Sequence, residues 1–214
     1  MQTVSLTHGG LTAADAEQLA AIVAGSNTVQ VAPAVPLFRS SFGGAALVFV
    51  DTGFVVLRAT PAELSRSMIT CEAGPGRVLL PPARTEVVCA LEPARLTLIS
   101  EGDRDRLLSI PAVAQMLVEQ LTFTLGEKQE ALAIFAQTRH VERVRRKLLQ
   151  LARGYGHVVR DGVRIDFPIT HALLAEMIGS SRETVTRALE ELQRAGVVAR
   201  SGSSYRLCDR SHIV

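Results

Sequence analysis

Arg182, Glu183, Thr184, Thr186 and Arg187 crowd two successive turns of a stretch whose apolar residues recur at helical spacing. A guanidinium donates bidentately to guanine O6 and N7, and a Glu carboxylate accepts from cytosine N4. An Arg-Glu-x-x-x-Arg run on one helix face therefore carries the chemistry to read a G·C-rich element in the major groove. Salt-bridging charges on an ordinary surface helix are the plain alternative. Agreement among caps, glycines, charge and flanking strands favours the first reading.

Two helices must hold that face. Leu173, Leu174, Met177 and Ile178, then Val185, Leu189 and Leu192, give each a buried stripe. Thr170 and Ser181 stand where N-caps are needed, their hydroxyls accepting from the free N–H groups of each opening turn. Gly179 lets the chain leave the first helix and Gly196 the second, and small Ala175 permits a close crossing. The spacing Ala175, Gly179, Val185 is that of a helix-turn-helix. Upstream, Val158 to Arg160 and Val163 to Phe167, joined by Asp161-Gly162, form a hairpin. Downstream, Val197 to Arg200 and Tyr205 to Leu207 flank Ser201-Gly202-Ser203-Ser204 as a wing, with Arg200 and Arg206 near a tip able to approach phosphate. His171 reads as a first-turn helix residue or a backbone-contacting group rather than a base.

Charge divides the same way. Residues 1–136 hold 9 of the 23 Lys and Arg and 13 of the 21 Asp and Glu, net −4, while residues 137–214 hold 14 and 8, net +6. An acidic front and a basic back suit a sensor joined to a nucleic-acid binder. A helix over Arg139 to Ala152 turns Val141, Val144, Leu148 and Leu151 inward and Arg143, Arg145, Arg146 and Lys147 largely outward. That cluster adds salt-dependent attraction to phosphates.

The front part opens on a helix from Leu11 to Ala24 capped by Thr12, with Leu19, Ile22 and Val23 on its apolar face. Six brief apolar runs follow: Val29 to Val31, Leu47 to Val50, Phe54 to Leu57, Val78 to Leu80, Val87 to Leu91 and Leu96 to Ile99. Such runs, broken by Gly, Pro and Ser, predict a small antiparallel barrel or jelly roll, with Asp51-Thr52-Gly53 as a hairpin turn. Pro111 to Phe135 is one long helix. Val113, Leu117, Leu121, Leu125, Leu132 and Phe135 line one side, with Met116, Gln120, Phe123 and Ala131 beside them, a stripe wide enough to cover the sheet and pair with its own copy. Gly126 interrupts it at a cost of roughly 1 kcal/mol relative to Ala. A hinge is expected near residues 134–139.

Through Ser181-Arg182-Glu183-Thr184-Val185-Thr186-Arg187 the chain resembles the Crp/Fnr family of dimeric bacterial transcription regulators, whose recognition helix carries Ser-Arg-Glu-Thr-Val-x-Arg. The Arg before the Glu is similar to the catabolite-activator branch, which reads TGTGA-type half-sites, rather than the Fnr branch, which reads TTGAT. The resemblance implies that Arg182 and Arg187 contact guanines, Glu183 a cytosine of the complementary strand, and Ser181 and Thr184 phosphates. Thr186 and Thr170 complete the DNA-facing set. It further implies an α+β fold: an N-terminal antiparallel β-roll of the cyclic-nucleotide-binding type (residues 1–110), a dimerisation helix and hinge (111–137), and a C-terminal winged helix-turn-helix (138–214). Double-stranded DNA, a second copy of the chain and RNA polymerase are the partners it implies.

Nucleotide-binding members carry a Gly-Glu-x-Gly turn and an Arg-Ser/Thr pair. Arg84-Thr85 matches the pair and makes these two residues the candidate effector contacts, but Glu72-Ala73-Gly74-Pro75-Gly76 has no Glu between its glycines. Leu125 and Gly126 stand where cAMP readers place Thr and Ser. Leu neither donates nor accepts, which argues against cAMP and leaves another small molecule, or none, as effector. A second function class makes the β-roll a ligand- or protein-interaction module with the winged helix serving assembly.

Nothing motivates an enzyme. His8, His140, His157, His171 and His212 are scattered, and HExxH, GxSxG and phosphate-loop motifs are absent. Cys71, Cys89 and Cys208 lack the spacing for zinc, an iron–sulfur cluster or a disulfide framework and read as buried thiols. No apolar run approaches a membrane span, and the N-terminus lacks a signal pattern, so a cytoplasmic location is expected.

Overall fold

Alternation along the first long strand explains the layering of the N-terminal part. The computed structural model describes residues 11–33, 35–59, 67–165, 167–202 and 204–208; Ser203, His8 and His212 lie outside them. The chain divides into two compact units, one reaching Leu125 and one beginning at Gly126.

In the first unit, helix α1 (Ala13–Gly25) starts with a capping box in which Thr12 Oγ1 accepts from Asp15 N–H at 3.2 Å and Asp15 returns a bond to the Thr12 N–H. Seven strands follow: β1 (Asn27–Val31), β2 (Leu47–Thr52), β3 (Val55–Ala59), β4 (Met68–Ala73), β5 (Val78–Leu79), β6 (Glu86–Ala90) and β7 (Ala94–Ile99). They form two sheets of order β1-β7-β2-β5 and β4-β3-β6. Along β2, Val48 and Val50 enter a core shared with Val55, Leu57, Val88 and Leu96. Leu47 and Phe49 point the other way, into a second cluster with Leu19, Ile22, Ile99, Leu107 and Val113. A strand buried on both faces reads as a continuous apolar run.

Three details differ from the sequence expectation. Asp51-Thr52-Gly53 does not close a two-stranded hairpin: β2 and β3 belong to different sheets, and the turn hands the chain from one sheet to the other. A register shift between Val50 and Thr52 in the β2–β7 ladder bends the strand where it leaves. Strand β4 and helix α2 (Glu101–Leu108, capped by Ser100) were not expected from periodicity. Helix α2 buries only Leu107, too little to make a stripe.

Helix α3 runs from Pro111 to Phe135, the predicted bounds. Its apolar stripe is buried only in part. Val113, Met116 and Leu117 are covered, whereas Val118, Leu121, Leu125 and Leu132 are 61, 42, 57 and 69% exposed.

The second unit continues with α4 (His140–Tyr155), β8 (Gly156–Val159), β9 (Gly162–Ile165), α5 (His171–Ile178), α6 (Arg182–Arg194), β10 (Val198–Ser201) and β11 (Ser204–Leu207). The two predicted hairpins are one four-stranded sheet, β10-β11-β9-β8, because Leu207 pairs with Val163 and Arg206 with Arg164. Gly162 makes that join possible. Its φ is +141°, and a Cβ built there would lie 1.8 Å from the Leu207 carbonyl oxygen. Lys147 does not face outward as expected. It is 2% exposed, its Nζ donates to Gln150 Oε1 at 3.0 Å, and Gln150 Nε2 donates to the Glu127 carbonyl at 3.1 Å, joining α4 to the end of α3. A buried ammonium needs such partners.

Candidate nucleic-acid interface

The exposed face of α6 is fixed by what its opposite face buries. Val185, Ala188, Leu189 and Leu192 are buried against the rest of the unit, so Arg182, Glu183 and Arg187 are exposed on the other side. Glu190 and Arg194 extend the same exposed face toward the helix end, a continuation that the first-turn motif did not include. Among the described residues, the side chains of Arg182 and Arg187 enter no ion pair or hydrogen bond. Both guanidinium forks thus keep their full donor capacity for a partner.

The caps fall as the sequence indicated. Thr170 Oγ1 accepts from Leu173 N–H at 3.0 Å, and Ser181 Oγ accepts from Thr184 N–H at 3.1 Å while meeting Thr184 Oγ1 at 2.8 Å. The turn between the helices rests on Gly179, whose φ of +62° ends α5. A Cβ there would stand 2.7 Å from the Phe135 ring, so the end of α3 packs directly on this turn. Thr186 is engaged inward: its hydroxyl donates to the Arg182 carbonyl at 2.9 Å and lies 2.8 Å from His171 Nδ1. In the wing, Arg200 is exposed and its Nε donates to the Gly202 carbonyl at 3.2 Å; Arg206 pairs with Asp161 at 3.1 Å.

His171 contacts side chains rather than backbone, with Nε2 3.0 Å from the Tyr205 hydroxyl. Partial burial holds its pKa below the ordinary value, Arg200 and Arg182 push the same way, and Glu190 opposes them. Burial raises the Tyr205 phenol against the pull of Arg200, leaving it a donor at neutral pH. Because the unfolded ring takes up its proton first, the His171 contribution to stability is whole above the unfolded value of about 6.5. It falls as pH drops below that value and stops falling once the folded ring protonates. Thermal unfolding between pH 5 and 8 is expected to show this acid-side loss, and His171→Gln to flatten it.

Comparison with known proteins bears on the same region. A model of the Crp-like helix-turn-helix domain matches residues 142–213. The CRP-like cAMP-activated global transcriptional regulator of Mycobacterium tuberculosis is 30% identical over 115 residues, covering 52% of this chain and 51% of that protein. Residues 142–213 thus carry a Crp-like helix-turn-helix domain. The global nitrogen regulator of Synechococcus elongatus is 31% identical over 93 residues, 44% of this chain and 42% of that protein. The chain thus spans about half the length, or less, of the curated Crp/Fnr relatives it matches. A CooA mutant from Carboxydothermus hydrogenoformans shares the fold with a TM-score of 0.76 at 16% identity, covering 90% of this chain and 88% of that one. Both curated relatives are named as global regulators.

The cyclic-nucleotide cassette known in Crp/Fnr proteins does not fit the residues present. Arg84 and Thr85 sit in an exposed turn whose Ala83 N–H is already taken by Glu86 Oε2 at 3.0 Å, while Glu86 Oε1 accepts from Thr70 at 2.7 Å. An incoming phosphate would meet that carboxylate. Glu72 is a buried residue of β4, and Leu125 is an exposed apolar residue of α3. Among the described residues no group of three His, Cys, Asp or Glu is placed to hold a metal ion. Cys71 and Cys89 are buried, Cys208 is half-buried, and none of the three forms a disulfide. No single described helix is long and apolar enough to cross a membrane.

Proposed function

We propose that the chain is a homodimeric, sequence-specific DNA-binding transcription regulator that reads an inverted repeat of TGTGA-like half-sites. The observation that carries this reading is the exposed face of α6, where Arg182 and Arg187, unpaired among the described residues, stand on either side of Glu183. Two such helices related by two-fold symmetry enter successive major grooves about 34 Å apart. The β-roll acts on their spacing by shifting populations, through an effector that binds one arrangement better than the other. Cyclic AMP fits that role poorly: Leu125 and Gly126 stand where cAMP readers place Thr and Ser, and Glu86 takes the Ala83 N–H of the turn that carries Arg84.

A TGTGA-N6-TCACA duplex and a scrambled one, each titrated with and without cAMP or cGMP at two salt concentrations, test the proposal. Tight, selective binding that ignores the nucleotide is expected. Failure of an unbiased selection from random duplexes to return any half-site would sink it.

The dimer rests on Val118, Leu121, Leu125 and Leu132, spaced three, four and seven residues apart and exposed in the single chain. Burying a Leu stabilises by about 1.5–3 kcal/mol, and symmetry doubles each contribution. Leu125→Glu is expected to convert a dimer to a monomer in sedimentation without lowering helix content. A parent chain that already sediments as a monomer at micromolar concentration contradicts this.

A further inference from the structure

Two hydroxyls meet the two nitrogens of the His171 ring. Thr186 Oγ1 lies 2.8 Å from Nδ1 and 2.9 Å from the Arg182 carbonyl. The Tyr205 hydroxyl lies 3.0 Å from Nε2, and in either tautomer of the neutral ring one nitrogen donates and the other accepts. One neutral ring thus links three elements: β11 of the wing through Tyr205, the first turn of α5 through its own backbone, and the first turn of α6 through Thr186 and Arg182. Charged groups around the ring are Arg200 on β10 and Arg182 and Glu190 on α6.

Resting on the DNA-reading function above, we propose that His171 is a positioning residue that sets base selectivity by holding the Arg182 turn of the recognition helix in register with the wing. Arg182 presents its fork to a base edge, whereas the wing approaches phosphate. A contact to phosphate carries no sequence information unless the base-reading side chain is fixed relative to it. The ring supplies that fixed relation. Without it the two contact sets optimise separately, and binding to unrelated duplexes loses less than binding to the half-site.

The variants His171→Asn and Tyr205→Phe each delete the Nε2 to Tyr205 bond, from opposite sides. The quantity to measure is the ratio of affinities for the inverted-repeat and scrambled duplexes at fixed salt, with thermal unfolding as a check that each variant is folded. Each single variant is expected to lower the ratio about tenfold, and the double variant no further than either. Ratios within twofold of the parent in folded variants, or losses that multiply in the double, overturn the proposal. A parent that binds every duplex alike overturns the regulator reading and this one together; a selective parent with indifferent variants overturns this one alone.

Discussion

Arg182→Ala is expected to weaken binding to the TGTGA-N6-TCACA duplex by about 5- to 150-fold per half-site, the equivalent of the roughly 1–3 kcal/mol carried by one bidentate base contact. Binding to a scrambled duplex should change far less. Arg182 is exposed at the first helical position of α6, and its side chain holds no partner within the described residues. Removing it therefore leaves no buried group unsatisfied, and Ala is the better helix former. The variant should unfold at or above the parent's temperature while losing selectivity, a combination that separates a lost contact from a lost fold. Arg187→Ala, one and a half turns along, should behave alike. Affinity unchanged in both variants would assign the winged helix to assembly instead.

Gly162→Ala should act oppositely, through the fold. A methyl group there meets the Leu207 carbonyl at 1.8 Å, in a backbone conformation that side chains rarely adopt. The join between β9 and β11 must open to admit it, at a cost on the order of 3 kcal/mol or more. The control is Gly202→Ala at the wing tip, where φ is +61° and nothing lies within 4 Å of the added carbon. That change should cost only the roughly 1–2 kcal/mol of the left-handed conformation. Urea unfolding distinguishes them; equal midpoints would show that the close approach at Leu207 is not what Gly162 is for.

The parts legible in the sequence are those whose signals are local. Thr170 and Ser181 cap the helices they were expected to cap, because a cap needs only the next three residues. Helix α3 ends where its periodicity ends. Sheet membership was not legible: Asp51-Thr52-Gly53 specifies a chain reversal, but which strand then pairs with which depends on residues far along the chain. Lys147 misled for a related reason. On a helix rich in Arg it reads as one more solvated charge, and its bond to Gln150, itself anchored on the Glu127 carbonyl, is invisible in that pattern. The setting of His171 lies still further from sequence reasoning, since Thr186 and Tyr205 come to it from α6 and β11. The candidate base-reading residues were visible because they repeat on one face; the groups that steady them were not, because they converge from three elements.

The sheet joining both hairpins also dictates an order of assembly. Helices α5 and α6 lie wholly between β9 and β10 in sequence, yet β9, already paired with β8, finds its second neighbour in β11, the last strand described. Pairing between such distant segments forms late and slowly compared with the helices it encloses. On a ribosome, α6 is complete as a stretch of sequence before the strand that carries Tyr205 and Leu207 exists. A chain stopped just short of Ser204 has every base-reading residue and no closed sheet to seat them. On the proposed reading, the platform that seats the recognition helix is therefore completed only when synthesis has passed the wing.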